Sequence, residues 1–448
     1  MRWWTSAVVG CVLAAGAVGC GGDDGQEPRS AAEADRRATP PRTAPAPPAD
    51  AGDRAVEHLE AIARLTERAG GDRVASSDGE RALADYAADR LRAAGYRVRF
   101  TAARFPFFEE RSPARLTIGG DRVGARREVR GLAYAPGGTA TGRVRRIAYD
   151  RPDSGCRESD FAALRRGEVA VPGRGVCPFA TKVRLAQRAG AAAVVVVDRE
   201  EDEAVPATLG RPGVARIPAV VVGRGLAERL EDGARVRVRT DAVSETRTAR
   251  SVIADAPPAT RGGRVVMVGA HMDSVPEGPG MNDDASGVAA TLAAAEALAR
   301  TGARVRVGLW AAEELGLHGS RAYVRGLGAR ERRAITAYVN LDMVGSPEGD
   351  PEVYAGGPTS RAERVRRALL AGLRVAGVER PGRTALRGGS DHAPFVRAGI
   401  AAGGIFTGAG RPEDPCYHRA CDDLDNVDRT DLRRSARATV TALRRLSP

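Results

Sequence analysis

Regular alternation of strand and helix patterns in the second half of the chain is the feature that most restricts its fold. From residue 264 onward, short apolar runs alternate with segments of helical periodicity. The predicted strands cover 264–270, 304–310 and 335–341, and the predicted helices cover 285–300 and 319–327. This pattern predicts an α/β fold in which a mostly parallel mixed sheet carries helices on both faces. In such sheets the chemistry collects at the carboxyl ends of the strands.

Polar motifs follow these strands. They are His271-Met272-Asp273-Ser274, the stretch GPGMNDDASG at 278–287, Ala312-Glu313-Glu314-Leu315-Gly316, Asn340-Leu341-Asp342-Met343-Val344-Gly345 and Cys416-Tyr417-His418-Arg419-Ala420-Cys421. Imidazole nitrogens and carboxylate oxygens together suit a pair of divalent ions of the zinc type, because mixed N/O ligands match borderline metals. The sequence therefore predicts a two-metal centre at one edge of the sheet.

The five motifs, in this order, resemble those of the co-catalytic di-zinc aminopeptidases of metallopeptidase family 28, the group that includes aminopeptidase S, aminopeptidase Y and glutamate carboxypeptidase. The resemblance covers 246–448 and includes SDHAPF at 390–395 and GIFTG at 404–408. It implies a zinc exopeptidase fold and two Zn2+ ions. By this resemblance His271 and Asp342 would hold one zinc ion, Glu314 and His418 the other, and Asp283 would bridge them.

The resemblance gives three further residues a role beside the metal ions. Glu313 would be the general base and acid that moves a proton from water to the departing amine. Tyr417 would donate a hydrogen bond to the tetrahedral oxyanion. Asp273 would accept the second ring N–H of His271 and fix its tautomer. The cis peptide that relatives have after the bridging aspartate is expected at Asp283-Asp284.

The SDH motif is not expected to supply a ligand, because the family places the second histidine ligand at His418. We expect Asp391 and His392 to line or support the site. Streptomyces-like members often have an arginine directly before this motif, whereas this chain has Gly389, a departure that concerns substrate anchoring. His58 and His318 are expected on the surface.

The residues before 246 show a different pattern of predicted elements. Two helical patterns within 54–95 and a strand pattern at 96–100 are assigned to the first part of the catalytic domain, 51–111. From 112 to 245, short strands and turns dominate. Asp160-Phe161, the RGVCPF turn at 174–179 and the helix end AGAA at 189–192 resemble, in this order, the protease-associated domain, which several relatives carry early in the catalytic domain. The resemblance implies a β-rich insertion over 112–245 and a main catalytic part over 246–448.

The N-terminus has the pattern of an export signal. Arg2 precedes an apolar stretch at 7–18 that is too short to span a bilayer, which predicts a signal peptide over 1–19. Ala17-Val18-Gly19-Cys20 resembles a bacterial lipobox, so we expect a cell-surface lipoprotein anchored in the membrane through Cys20. The proline-rich residues up to 50 would be a disordered stalk. An ordinary signal peptide, giving a secreted protein, is the alternative, because leucine is commoner than Ala17 at that position.

Cysteine usage agrees with export. Outside the N-terminal region the chain has Cys156, Cys177, Cys416 and Cys421, which suggest two disulfides and allow three pairings. With the two resemblances taken into account, the neighbourhoods favour Cys156 with Cys177 and Cys416 with Cys421. The second bond would brace the turn of the last motif.

We therefore expect a zinc-dependent exopeptidase that removes N-terminal residues from peptides with a free N-terminus. A carboxypeptidase or dipeptidase would use the same di-zinc centre but needs a cationic pocket, a glutaminyl cyclase relative would use one zinc ion, and a catalytically silent ectodomain would have lost ligands. The net charge of +12 does not indicate a nucleic-acid partner, because the arginines are scattered without a basic block interleaved with aromatics. The sequence does not indicate the oligomeric state.

Overall fold

The computed structural model describes residues 51–123, 127–257, 263–356, 359–386 and 389–447. The predicted signal peptide, Cys20 and the predicted stalk lie outside the described residues. Every described element belongs to one compact unit, residues 44–448. In this part of the chain, no helix combines the length and the apolar character that a membrane crossing requires.

The secondary structure alternates through the second half of the chain as predicted. The helices are α1 (Ala51–Arg68), α2 (Asp78–Ala93), α3 (Phe179–Arg188), α4 (Gly287–Leu298), α5 (His318–Gly326), α6 (Ala329–Ala334), α7 (Ser360–Val375), α8 (His392–Arg397) and α9 (Arg429–Leu446). The strands are β1 (Arg97–Ile118), β2 (Asp121–Val123), β3 (Val129–Gly131), β4 (Gly138–Ile147), β5 (Val169–Pro172), β6 (Ala193–Val197), β7 (Ala219–Val222), β8 (Arg235–Asp255), β9 (Val265–His271), β10 (Val305–Trp310), β11 (Ile335–Leu341), β12 (Glu352–Ala355), β13 (Gly382–Arg383) and β14 (Ala402–Phe406).

Strand β9 lies at the centre of the catalytic sheet. It pairs in parallel with β10 on one side and with β11 on the other, and β11 pairs in parallel with β14. Antiparallel strands extend this arrangement, with β12 beside β14 and β8 beside β10. Every residue of β9 is buried, as expected for a parallel strand covered on both faces. The predicted α/β fold, with a mostly parallel mixed sheet, is confirmed.

Two long strands join the catalytic and inserted parts of the chain. Strands β1 and β8 pair antiparallel over 22 and 21 residues, from Arg97 opposite Asp255 to Ile118 opposite Val236. The predicted domain boundaries, after residues 111 and 245, fall inside this ladder, where the sequence indicated only short strands. The chain thus enters and leaves the insertion along one paired ribbon, and β8 hydrogen-bonds to β10 in one part and to β4 in the other.

The insertion has its own β-rich core. Strands β4, β5, β6 and β7 are parallel, and β3 pairs antiparallel with β7. Strand β6 has the sequence AVVVV and is buried at every position, which agrees with the preference of β-branched residues for strands. The disulfide between Cys156 and Cys177 closes a loop at one end of this sheet.

Candidate metal centre

The carboxyl ends of three parallel strands bring most of the predicted site residues together. His271 is the last residue of β9, and Asp342 directly follows β11. Glu313 and Glu314 follow β10, which ends at Trp310. Because β9, β10 and β11 run in the same direction, their carboxyl ends meet at one edge of the sheet.

Asp283 and His418 reach the same edge from irregular segments. Asp283 lies in the turn before α4, has a non-helical backbone (φ −107°, ψ 91°) and forms a cis peptide bond with Asp284, as the resemblance implied. His418 has a positive φ of 56° and lies inside the loop closed by the disulfide between Cys416 and Cys421. Both predicted disulfide pairs are therefore confirmed.

The carboxylate of Asp283 lies between the two histidines. Its Oδ1 is 3.1 Å from Nε2 of His271, and its Oδ2 is 3.2 Å from Nε2 of His418. The same His418 nitrogen is 3.2 Å from Oε2 of Glu314, and the His271 nitrogen is 3.8 Å from Oδ1 of Asp342. The five residues predicted as ligands thus form one cluster, in which Asp283 presents one oxygen to each histidine.

The polar atoms of this cluster fit divalent cations. Potential ligand atoms of His271, Asp283 and Glu314 all lie within 4.8 Å of one another, as do those of His271, Asp284 and Asp342. Among the described residues, the buried Oε1 of Glu314 has no hydrogen-bond partner. Burial and the neighbouring Asp283 raise the pKa of Glu314 to about 7, partly offset by His418. A buried carboxylate oxygen without a donor, together with the neighbouring carboxylates and imidazole nitrogens, forms a ligand set that suits zinc.

Asp273 holds the backbone of both glutamates. Its Oδ1 accepts the N–H of Glu313 at 2.9 Å and its Oδ2 accepts the N–H of Glu314 at 3.2 Å. The resemblance instead predicted that this carboxylate accepts the second ring N–H of His271. In the structure, His271 Nδ1 lies 3.0 Å from the backbone carbonyl of Asp273 and 3.8 Å from its Oδ1, because the carboxylate turns toward the loop after β10.

The carboxyl group of Glu313 lies beside the cluster, and its pKa is shifted strongly by its surroundings. It is 9% exposed, and burial raises its pKa well above the usual range. The charge of His271 lowers this pKa, whereas the carboxylates of Asp391 and Glu314 raise it further. A raised pKa makes the carboxyl group a better proton acceptor, which suits a proton-transfer role.

Tyr417 and the SDH motif lie at the margins of the cluster. The Tyr417 ring stacks on that of His418, with ring centroids 3.8 Å apart. Asp391 is buried and accepts a hydrogen bond from Ser320. His392 packs edge-on against Tyr354, with Nε2 3.1 Å from the carbonyl of Leu386.

Several residues that were not predicted from the sequence support the cluster. Ser390 donates a hydrogen bond to Oδ2 of Asp342 and accepts one from Nδ2 of Asn340 at 2.8 Å. Asp284 accepts the N–H of His271 at 3.1 Å and that of Gly287 at 3.0 Å. The Asp-Asp pair and the Ser beside Asp391 were visible signals, but no role was predicted for the side chain of Asp284 or of Ser390.

Two more side chains that hold the cluster in place come from distant parts of the chain. The carboxylate of Asp422 accepts the N–H of Asn282 at 2.8 Å and that of Asp283 at 3.1 Å, which fixes the turn that carries Asp283. Arg73, between α1 and α2, is fully buried and donates to the carbonyls of Met272, Pro279 and Gly280. No local pattern marks Arg73, because a buried arginine is recognised only by what surrounds it.

The prediction that His58 lies on the surface is wrong. His58 is 1% exposed, and its Nδ1 is 2.7 Å from the hydroxyl of Tyr86. Its Nε2 lies 3.4 Å from Oε1 of Glu296, which also contacts Arg54 and Arg90. His318 is partly exposed at the start of α5 and packs against Phe105.

Comparison with known proteins gives matches over both parts of the chain. Residues 251–443 match Peptidase family M28, and residues 140–230 match the PA domain. The chain is 34% identical, over 413 residues, to a Mycobacterium tuberculosis protein named probable lipoprotein aminopeptidase LpqL, and this alignment covers 85% of the chain and 82% of that protein.

Solved structures of similar architecture span nearly the whole chain. The aminopeptidase from Aneurinibacillus sp. strain AM-1 has a TM-score of 0.62 at 28% identity and covers 89% of this chain and 95% of its own. BSAP, a zinc aminopeptidase from Bacillus subtilis, has a TM-score of 0.58 at 26% identity, with 87% and 94% covered.

Proposed function

The chain belongs to peptidase family M28 and carries an inserted PA domain, and on this basis we propose that it is a zinc-dependent aminopeptidase. It would hydrolyse the first peptide bond of peptides that have a free N-terminus. Similar proteins of known structure are aminopeptidases, one of them named a zinc enzyme, which supports the proposal.

The balance of charge at the site is the observation that favours an aminopeptidase over a carboxypeptidase. The side chains that converge there include the carboxyl groups of Asp283, Glu313, Glu314, Asp342 and Asp391, whose negative charge, when all are ionised, exceeds the positive charge of two Zn2+ ions. The buried arginine of this region, Arg73, uses its guanidinium on three backbone carbonyls. Such surroundings favour the ammonium group of a substrate N-terminus over a C-terminal carboxylate.

His271 and Asp342 would hold one zinc ion, Glu314 and His418 would hold the other, and Asp283 would contribute one oxygen to each. When bound, the two ions would supply positive charge that activates water and stabilises the charge developing on the scissile carbonyl oxygen. The geometry that supports this assignment is the position of Asp283 between the imidazole nitrogens of His271 and His418.

Glu313 would hold the proton that water loses and return it to the nitrogen of the departing amine. Its backbone is fixed by Asp273, and its raised pKa favours keeping the proton between the two transfers. Tyr417, stacked on His418, would donate its hydroxyl proton in a hydrogen bond to the substrate oxyanion.

The protein would act outside the cytoplasm. The export signal in the sequence, the two disulfides and the relative named a lipoprotein aminopeptidase support this location. We extend the proposal to a lipid on Cys20 that anchors the chain in the membrane, with residues 21–50 as the tether.

The proposal is tested with peptides offered both with a free and with an acetylated N-terminus. We expect cleavage of the free-amine peptides alone, loss of cleavage with a chelator, and recovery on addition of zinc. The Glu313→Gln variant separates this site from a contaminating peptidase. Cleavage that ignores acetylation would indicate a carboxypeptidase, and cleavage that survives chelation would overturn the assignment.

A further inference from the structure

Five arginines that are far apart in the sequence or only loosely grouped lie together at the edge of the sheet opposite to the metal centre. A cleft of about 470 Å³ lies at the amino ends of β9, β11 and β14. Its exposed rim, which we call the arginine rim, consists of Arg264, Arg332, Arg333, Arg361 and Arg364. These residues come from three separate parts of the chain, so no basic block appears in the sequence.

The positive charge of the arginine rim is not neutralised by the protein. Among the described residues, none of its five side chains forms an ion pair within 4.0 Å, and neither Asp nor Glu lines the cleft. A second cleft of about 400 Å³ shares Arg332 and adds Arg321, Arg325 and Arg397. By contrast, the exposed residues Arg81, Arg92 and Arg429 of α2 and α9 each form an ion pair with an acidic residue. This face is therefore a concentrated cationic surface.

The floor of the cleft is apolar. It is formed by Ile335, Val365, Ile400 and Leu446, which are buried beneath the rim. Guanidinium groups bind phosphate oxygens in a bidentate geometry, so the unpaired guanidinium groups of the rim suit a surface that presents phosphate groups. Because the floor brings no acidic side chain to the cleft, the arginine rim matches phosphate groups that are presented from outside it.

We propose that this face binds the phosphate headgroups of an anionic phospholipid surface. Arg264 precedes β9 and His271 ends it, so the seven-residue strand separates the cleft from the metal centre by about 20 Å. Docking through the arginine rim would direct the metal centre away from the bilayer. About 30 residues lie between Cys20 and α1, and an extended tether of that length, on the order of 100 Å, permits this orientation. The inference does not require peptidase activity.

Vesicle co-sedimentation of residues 44–448 tests the proposal without the lipid anchor. This fragment contains every described element and both disulfides. We expect it to bind vesicles of phosphatidylcholine with about 30% phosphatidylglycerol at least tenfold more tightly than phosphatidylcholine alone, with binding that weakens as salt is added. Equal binding to both vesicle types would overturn the proposal.

A matched pair of variants locates the binding surface. Arg332→Glu/Arg361→Glu/Arg364→Glu reverses the rim, and Arg64→Glu/Arg97→Glu/Arg104→Glu makes the same change in net charge at exposed positions elsewhere. We expect the rim variant to lose at least tenfold in vesicle affinity and the control to stay within about twofold. Both should keep peptidase activity and melting temperature, and Arg361→Glu alone should show an intermediate loss. Equal loss in both triple variants would show only general charge attraction and overturn the proposal.

Soluble competitors distinguish the sources of phosphate. Glycerol phosphate and inorganic phosphate, at the concentration of the accessible headgroups, should displace little protein from anionic vesicles. Rim-dependent binding of either competitor without vesicle binding would make the cleft a site for a soluble anion and would overturn the lipid assignment. Rim-dependent binding of duplex DNA in place of vesicles would do the same.

Discussion

The carboxylate of Asp273 accepts a hydrogen bond from the backbone N–H of Glu313 at 2.9 Å, across 40 positions of sequence. The second carboxylate oxygen accepts the neighbouring N–H of Glu314. One buried side chain after β9 therefore positions the loop after β10, and with it both the proposed proton carrier and a proposed zinc ligand. Asp273 acts through these backbone contacts and is a positioning residue.

The Asp273→Asn variant should lower kcat by about 10- to 100-fold. The amide retains one acceptor oxygen, but its NH2 group faces a backbone N–H and cannot accept from it. Steady-state kinetics measures the effect, and zinc content, measured in parallel, should remain near that of the parent. Asp198→Asn, which removes a buried carboxylate in the PA domain, is the matched control. A loss of kcat of the same size in that control would contradict a local role for Asp273.

The Glu313→Gln variant should lower kcat by about 1,000-fold with little change in KM, because glutamine fills the same space but cannot carry the proton. Substrate hydrolysis and zinc analysis check this together. If the variant retains both zinc ions but loses activity, the result supports a role of Glu313 in proton transfer. Loss of zinc would instead make Glu313 a ligand.

The His418→Ala variant should reduce bound zinc from about two ions per chain to about one. Its Nε2 lies 3.2 Å from both Asp283 and Glu314, so its removal opens one of the two proposed positions and leaves His271 in place. Metal analysis after dialysis measures the stoichiometry. His318→Ala removes a histidine outside the cluster and should retain both ions, and unchanged zinc in His418→Ala would contradict the ligand assignment.

The Ser390→Ala variant should weaken zinc binding by about tenfold, because Asp342 loses a hydrogen-bond donor and Asn340 loses an acceptor. Competition with a chelator of known affinity gives the change. Ser154→Ala, which removes a buried serine with two hydrogen bonds in the PA domain, provides the control. That variant should lose stability without any change in zinc affinity.

Glu296 in α4, which contacts residues of α1 and α2, should make the stability of the fold depend on pH. Burial raises its pKa, but His58, Arg54 and Arg90 lower it more strongly, to about 2. A carboxyl group with a lowered pKa stabilises the fold above its unfolded pKa, near 4.5, and loses this contribution as the pH falls toward about 2. The shift corresponds to about 3 kcal/mol, and solvent screening of the two arginines reduces our expectation to about 1–2 kcal/mol.

Urea unfolding of the parent and of Glu296→Gln should therefore differ by about 1–2 kcal/mol at neutral pH and by less than half of that near pH 3. Asp89→Asn breaks an exposed pair with Arg92 and should change the free energy of unfolding by less than about 0.5 kcal/mol. A difference for Glu296→Gln that stays constant between the two pH values would contradict the ion-pair explanation.

The sequence predicted the catalytic sheet because its strands are buried on both faces and read as continuous apolar runs. The polar residues that interrupt these runs, such as His271 and Asp342, mark the carboxyl ends directly. The long ladder of β1 and β8 was missed because much of it is partly exposed, with polar residues at many positions. Its register is set by pairing across more than 100 residues, which no local pattern reports.

The sequence by itself determined the succession of strands and helices along the chain and the chemical identity of the residues at the strand ends, because local patterns of apolar and polar residues indicate both. Only the tertiary structure decided which atoms those residues contact. It turned the Asp273 carboxylate toward Glu313 and Glu314 and buried His58 against Glu296. It also gathered Arg264, Arg332 and Arg361 on one face. These contacts join residues that are far apart in the chain. They form because side-chain packing and electrostatic interactions in the folded protein favour them, and neither is visible in a local stretch of sequence.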